Sequence, residues 1–263
     1  VNFFFRVLAN YPSYFIPAWT QFNPCLRTLK LERAADEIRS AALLQLVPDG
    51  SRIEWANLGD LSTIRPFTDT IHYVLPKLLL TATAFHETFQ TAYSGERECH
   101  QEVPSELCPE EIPPGIASGT ATIPMVSPRE AKGDLSEIFR DIQERHCHPG
   151  VATYYRSLAR WPRFLAAVWE NLKPIVQSPD YERRKEKLAE QSMGAVRSYC
   201  PLPIRQAVWS SRELEELKEI SAVFRFRLIP DLLLDVALVK AMIDGPDSAR
   251  GSRFSFRPTG GHP

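Results

Sequence analysis

One phrase, written twice, limits what this chain can fold into. "RVLANYPSYFIPAW" (6–19) returns 150 positions later as "RSLARWPRFLAAVW" (156–169). The same offset carries identities at Val1/Val151, Arg6/Arg156, Leu8/Leu158, Ala9/Ala159, Pro12/Pro162, Trp19/Trp169, Pro24/Pro174, Glu32/Glu182 and Arg33/Arg183. A further match at offset 154 sets "LPKLLL" (75–80) beside "IPDLLL" (229–234). A unit this long exceeds a solenoid repeat and implies a duplicated domain. The expected organisation is an N-terminal helical repeat over 1–95 with its first helix missing and a Pro/Gly/Glu-rich linker over 96–132. A C-terminal helical repeat over 133–246 and a flexible tail over 247–263 complete it.

Both copies read as helices. Phe4 and Leu8, like Tyr155, Leu158 and Ala159, recur at helical spacing. Asn10 is the expected N-cap of a helix whose first turn holds Pro12, and Pro24 and Pro174 stop that helix and its counterpart. Pro17 faces Ala167 in the second copy, so a kink is expected in the first alone. Longer helices are expected at about 29–46 and 179–198, and again at 76–92 and 231–243. Asp134 and Glu137 read as a capping box opening a helix with Leu135, Ile138, Phe139 and Ile142 on one face. An equivalent helix is expected before Val1. No stretch alternates as a strand does, so the fold class is all-α.

Composition removes several functions. The net charge of −1, without a Lys/Arg run, excludes a general electrostatic grip on nucleic acid. Cys25, Cys99, Cys108, Cys147 and Cys200 are scattered and odd in number, which fits a reducing, cytoplasmic setting better than a disulfide framework. The apolar stretch 228–243 carries Asp231, Asp235 and Lys240 and is too short to span a bilayer. "HETFQ" (86–90) has no second histidine, "GIASG" (115–119) puts Ser118 one place late for a nucleophile elbow, and no glycine-rich phosphate loop exists. "HCH" (146–148) could join Cys99, His100 and Cys108 around a metal, but no pair has the usual short ligand spacing with a matching second pair, so no metal and no cofactor are expected.

The repeated phrase, the "EIFRDI" helix before its second copy and "HYVLPKLLLTA" (72–82) resemble the group I D,L-2-haloacid dehalogenase family over nearly the whole chain. The resemblance implies an all-α pseudo-dimer of two related halves around a buried site. It implies a cofactor-independent hydrolase in which a carboxylate activates water to displace halide from C2 of a small 2-haloalkanoic acid, with inversion. Carried over residue by residue, the family's catalytic Asp corresponds to Asp141 of "FRDIQ", on the border of the apolar stripe. The family's Thr and Glu, four residues apart, correspond to Thr28 and Glu32, with Trp19, Phe22 and Phe15 lining the apolar wall. Each has a structural alternative: Asp141 as a surface partner of Arg145, Glu32 as a helix-start charge, and Trp19 and Trp169 as core anchors. Where the resemblance calls for Asn before the Pro-Lys pair, this chain has Leu75. Two functions follow, a dehalogenase or an inactive helical homologue binding a small acid or a protein partner, and the chain allows a homodimer.

Overall fold

The computed structural model describes residues 2–45, 47–91, 117–199 and 210–254, and every regular element among them is helical. Helices α1 (Phe3–Leu8) and α2 (Pro12–Phe22) lead through a 3-10 turn (Asn23–Arg27) into α3 (Leu29–Ala41) and then α4 (Leu61–Thr91). A second series follows: α5 (Asp134–His146), α6 (Thr153–Leu158), α7 (Pro162–Leu172), α8 (Pro179–Tyr199), α9 (Ser211–Val223) and α10 (Ile229–Asp244). A π-helical turn, Phe224–Leu228, joins the last two without a break.

Pro12 and Pro162 each occupy the first turn of a helix, where a missing N–H costs nothing and a fixed φ is already helical. Helices α6 and α7 begin and end 150 residues after α1 and α2, and α8 begins 150 after α3. Their caps match as well. The Thr28 hydroxyl accepts the Leu31 N–H at 3.3 Å, and the Ser178 hydroxyl accepts the Tyr181 N–H at 3.2 Å. Pro17 lies inside α2, which continues through it to Phe22.

Several boundaries differ from the sequence expectation. Asn10 closes α1 by donating to the Val7 carbonyl at 3.0 Å, and the N-cap of α2 is Tyr11. Gly133, at φ 54°, takes the cap position of α5, so Asp134 is its first helical residue and no capping box forms there. The box found instead joins Ser210 and Glu213 at the start of α9. Helix α3 ends at Ala41, and Leu43 and Leu44 are buried beyond it. Helix α4 starts at Leu61, fifteen residues before the expected position, and contains both Pro66 and Pro76. Pro76 cannot donate to the carbonyl of His72, four residues back. The buried Arg39 supplies the missing donor, with Nε 3.3 Å from the His72 oxygen and a second nitrogen 3.3 Å from that of Tyr73.

Helices α4 and α10 pack together at the centre, with α3, α8 and α9 against them. Almost every residue of α10 from Ile229 to Met242 is buried, which explains an apolar stretch with no polar face. Among the described residues, no helix is long and apolar enough to cross a membrane. Trp55 donates its indole N–H toward the carbonyls of Gly50 and Met242, both at 3.2 Å. Gly50 is required there, because a Cβ would stand 2.3 Å from the Met242 oxygen.

The linker region 117–132 is tied to both halves: Ala121 N–H donates to Thr70 Oγ1 at 2.9 Å, and Ser157 Oγ donates to the Ile123 carbonyl at 3.0 Å. Residues 96–116, with Cys99, His100 and Cys108, lie outside the described residues, as does Cys200. Residues 247–254 of the expected tail make defined contacts. Residues Pro246–Ala249 form a 3-10 turn, Arg253 lies 3.5 Å from Asp69, and Phe254 packs on Tyr73 at 5.2 Å between ring centres. Residues 255–263 lie outside the described residues.

Candidate functional site

Asp141 stands on α5 with its side chain 37% exposed. Its two carboxylate oxygens accept from Arg145 Nε at 3.0 Å and from the Trp169 indole N–H at 2.7 Å. Burial works against its charge, but the indole and guanidinium outweigh it and hold the carboxyl below its ordinary range. The Asp141 carboxylate is therefore shared between a surface guanidinium and a buried indole. A depressed pKa also makes a weaker proton acceptor.

The first-half residues are arranged differently. The Thr28 hydroxyl is used twice in capping α3, donating to the Cys25 carbonyl at 2.8 Å and accepting from Leu31. Glu32, one turn on and 2% exposed, pairs with Lys77, which also donates to the Tyr73 hydroxyl. Trp19 is half-buried, unlike the buried Trp169, and packs edge-on against Phe5 at 5.3 Å. Phe15 lies 6.3 Å from Trp19, and both Phe15 and Phe22 reach Phe85, at 6.4 and 5.8 Å. The three predicted wall aromatics thus belong to one apolar cluster. The hydrogen bonds of Asp141 run to α5 and α7, not to Thr28 or Glu32.

A buried polar network in the second half escaped the sequence reading. Asp235 accepts from the hydroxyls of Tyr155 and Tyr181, both at 2.9 Å, and lies 3.1 Å from His146 Nε2. One turn earlier on α10, Asp231 lies 2.7 Å from both His148 Nε2 and Lys185 Nζ. Burial opposes the charge of His146, but Asp235 and then Asp231 outweigh it and raise its pKa; His148 and Lys185 likewise hold Asp231 below its ordinary range against burial. A cavity of about 350 Å³ borders this network, lined by His146, Tyr181, Lys185, Arg227 and Asp231 among others. Its cations are already matched, Lys185 by Asp231 and Glu182, and Arg227 by the carbonyls of His146 and Cys147. The available signal was a pair of carboxylates one turn apart inside an apolar helix, together with "HCH".

The helical series, without a strand among the described residues, defines the class first: an all-α protein whose polar chemistry is buried between helices. Residues 1–146 match the family model described as halocarboxylic acid dehydrogenase DehI, and the chain belongs to that family. It is 28% identical to a configuration-inverting 2-haloacid dehalogenase of Alcaligenes xylosoxydans xylosoxydans, over 97% of this chain and 88% of that protein. It is equally 28% identical to an (R)-2-haloacid dehalogenase of Pseudomonas putida, over 89% of this chain and 81% of the relative. Among solved structures, a D-2-haloacid dehalogenase mutant in complex with D-2-CPA superposes with a TM-score of 0.70 at 25% identity. That match covers 91% of this chain and 84% of that one.

Proposed function

We propose that this chain displaces halide from C2 of a small 2-haloalkanoic acid with inversion, water being the nucleophile. The observation that carries the reading is the similarity to a configuration-inverting dehalogenase along nearly the full length of both chains. Direct attack by water needs an unprotonated carboxylate beside it, a held substrate carboxylate and an apolar surround that strips solvent from the nucleophile. Asp141 is the proposed base. To act, it exchanges its bond with Arg145 for one to water, while Trp169 keeps the carboxylate oriented. Trp19, Phe22 and Phe15 form the apolar wall, and Thr28 and Glu32 contact the substrate, Thr28 as an anchor or water-positioning hydroxyl. We further propose that 1–95 and 133–246 are two copies of one helical unit joined as a pseudo-dimer. The helix boundaries repeated at an offset of 150 support this.

A second reading has its own support. Leu75 is buried and apolar next to Pro76-Lys77, and the Asp141 carboxylate already has two donors. Both features favour a homologue that binds a small acid without turnover. Chloride release from 2-chloropropionate separates the two: steady release supports the dehalogenase, and none supports binding alone. Asp141→Asn preserves shape and removes the base, so release falls by about 10²-fold or more, the usual scale for losing a general base. Release at the parent rate would remove Asp141 from that role.

A further inference from the structure

We propose that the end of α5 and the start of α10 form a binding site for one zinc-class divalent cation, with His146, His148 and Asp231 as its ligands. This inference is independent of halide displacement. A nitrogen from each imidazole and a carboxylate oxygen of Asp231 lie within 4.8 Å of one another. Two imidazoles and one carboxylate are a donor set that suits zinc and its neighbours in the first transition row.

The local fold holds these donors on separate, well-anchored elements. His146 is the last residue of α5, Cys147 turns the chain in the left-handed conformation at φ 50°, and His148 follows. That turn stacks the two rings at 5.0 Å with 23° between their planes. Asp231 projects from the first turn of α10, with its side chain 2% exposed. His146 is 4% exposed, and its Nε2 faces the Asp235 carboxylate at 3.1 Å. Asp235, held by two tyrosine hydroxyls, stands behind His146 as the outer carboxylate that orients a ligating imidazole.

Metal–ligand bonds of about 2.0–2.2 Å put ligand atoms roughly 3–4 Å apart, so closing the triad takes side-chain rotations and leaves the helices in place. His146 and Asp231 line the 350 Å³ cavity, which gives an ion a path in and a fourth position for water. Lys185 is the competitor, since its ammonium now sits 2.7 Å from the Asp231 oxygen that a cation would take. Entry of the metal exchanges that ion pair for a coordination bond.

The test is a titration of chelator-treated full-length protein with zinc against a chromophoric chelator, together with the visible spectrum of the cobalt(II) form. One equivalent binds, cobalt gives the intense bands of a low-coordinate site, and zinc raises the melting temperature. His148→Ala, a change in a half-buried loop residue, weakens binding at least 10-fold and abolishes the thermal shift, and Asp231→Asn does the same if it folds. Lys185→Met strengthens binding about 10-fold by removing the competitor. Cys147→Ser, which alters the exposed thiol between the histidines, leaves binding unchanged. No stoichiometric binding, binding unaltered in His148→Ala, or binding lost only with Cys147 would each overturn the assignment.

Discussion

The two halves meet the same problem, a proline inside a long central helix, with different solutions. In α4 the helix stays α-helical through Pro76 because Arg39, reaching across from α3, serves the carbonyl that the proline leaves free. At the matching Pro230 the chain instead forms the π-helical turn Phe224–Leu228. That turn directs Arg225 to Glu87 at 2.6 Å and Arg227 to the end of α5, with Arg227 beside the cavity. One half closes over its proline with a buried charge, and the other opens into a polar pocket. π-Turns interrupt helices preferentially at functional sites, and the cavity that Phe226 and Arg227 of this turn border is also lined by His146 and Asp231.

The comparison breaks hardest at Asp235. Asp235→Ala removes the acceptor of two buried tyrosine hydroxyls and the partner of His146, and it is expected to lower stability by about 3–5 kcal/mol, the scale for breaking a buried charged network. Urea denaturation measures it. A loss under about 1 kcal/mol would mean that the second half does not depend on its network.

Arg39→Met comes next. It strands the carbonyl of His72, which Pro76 cannot serve, at a cost of roughly 1–3 kcal/mol for an unsatisfied buried group. Pro76→Ala restores the N–H that the His72 carbonyl lacks, so the double variant should cost less than Arg39→Met alone. Strict additivity would show that Arg39 does not stand in for the missing donor.

Local rules made much of this fold legible in the sequence. Pro12 and Pro162 announced helix starts because a proline at the first turn is a local requirement, and the offset of 150 reappears in the helix boundaries. Helix α4 was misjudged for the opposite reason: Pro76 looks like a helix start unless Arg39, distant in sequence, is known to serve the His72 carbonyl that it leaves free. The site was less legible. Asp231 and Asp235 stood out only as charges that argue against a membrane span, because their partners come from α5, α6 and α8. For Asp141, the i, i+4 pair with Arg145 was readable, but the indole of Trp169 arrives from another helix.

Acid should reveal another difference, since two histidines on α4 are held neutral. Burial, reinforced by Arg39, puts the pKa of His72 well below 6.5, and burial with Arg225 lowers that of His86 to about 4. The unfolded chain takes up these protons near 6.5 and the folded one only at lower pH. Their contribution is thus complete above 6.5 and is lost as pH falls from there toward 4. Melting temperature should drop across that window, and His86→Gln should make the drop shallower. An unchanged slope would mean that His86 is protonated in the fold.

The smallest effect is expected at Asp141, and its size sharpens the comparison between paired tryptophans. Trp19 is half-buried in an apolar cluster, whereas Trp169 is buried and donates to Asp141, so one indole anchors by packing alone and the other by packing plus a polar bond. Asp141→Asn keeps an acceptor oxygen for the indole and loses only the exposed pair with Arg145, worth about 0–1 kcal/mol at a solvent-facing site. Its melting temperature should therefore stay close to that of the parent, and any loss of chloride release can be assigned to chemistry and not to folding. If Asp141→Asn instead unfolds early, by 2 kcal/mol or more, the carboxylate is an anchor of α7 to α5 and the activity of that variant says nothing about a base. Trp169→Phe then separates the cases, because an anchor fails equally from either side of the bond, while a base tolerates loss of the indole better than loss of its own charge.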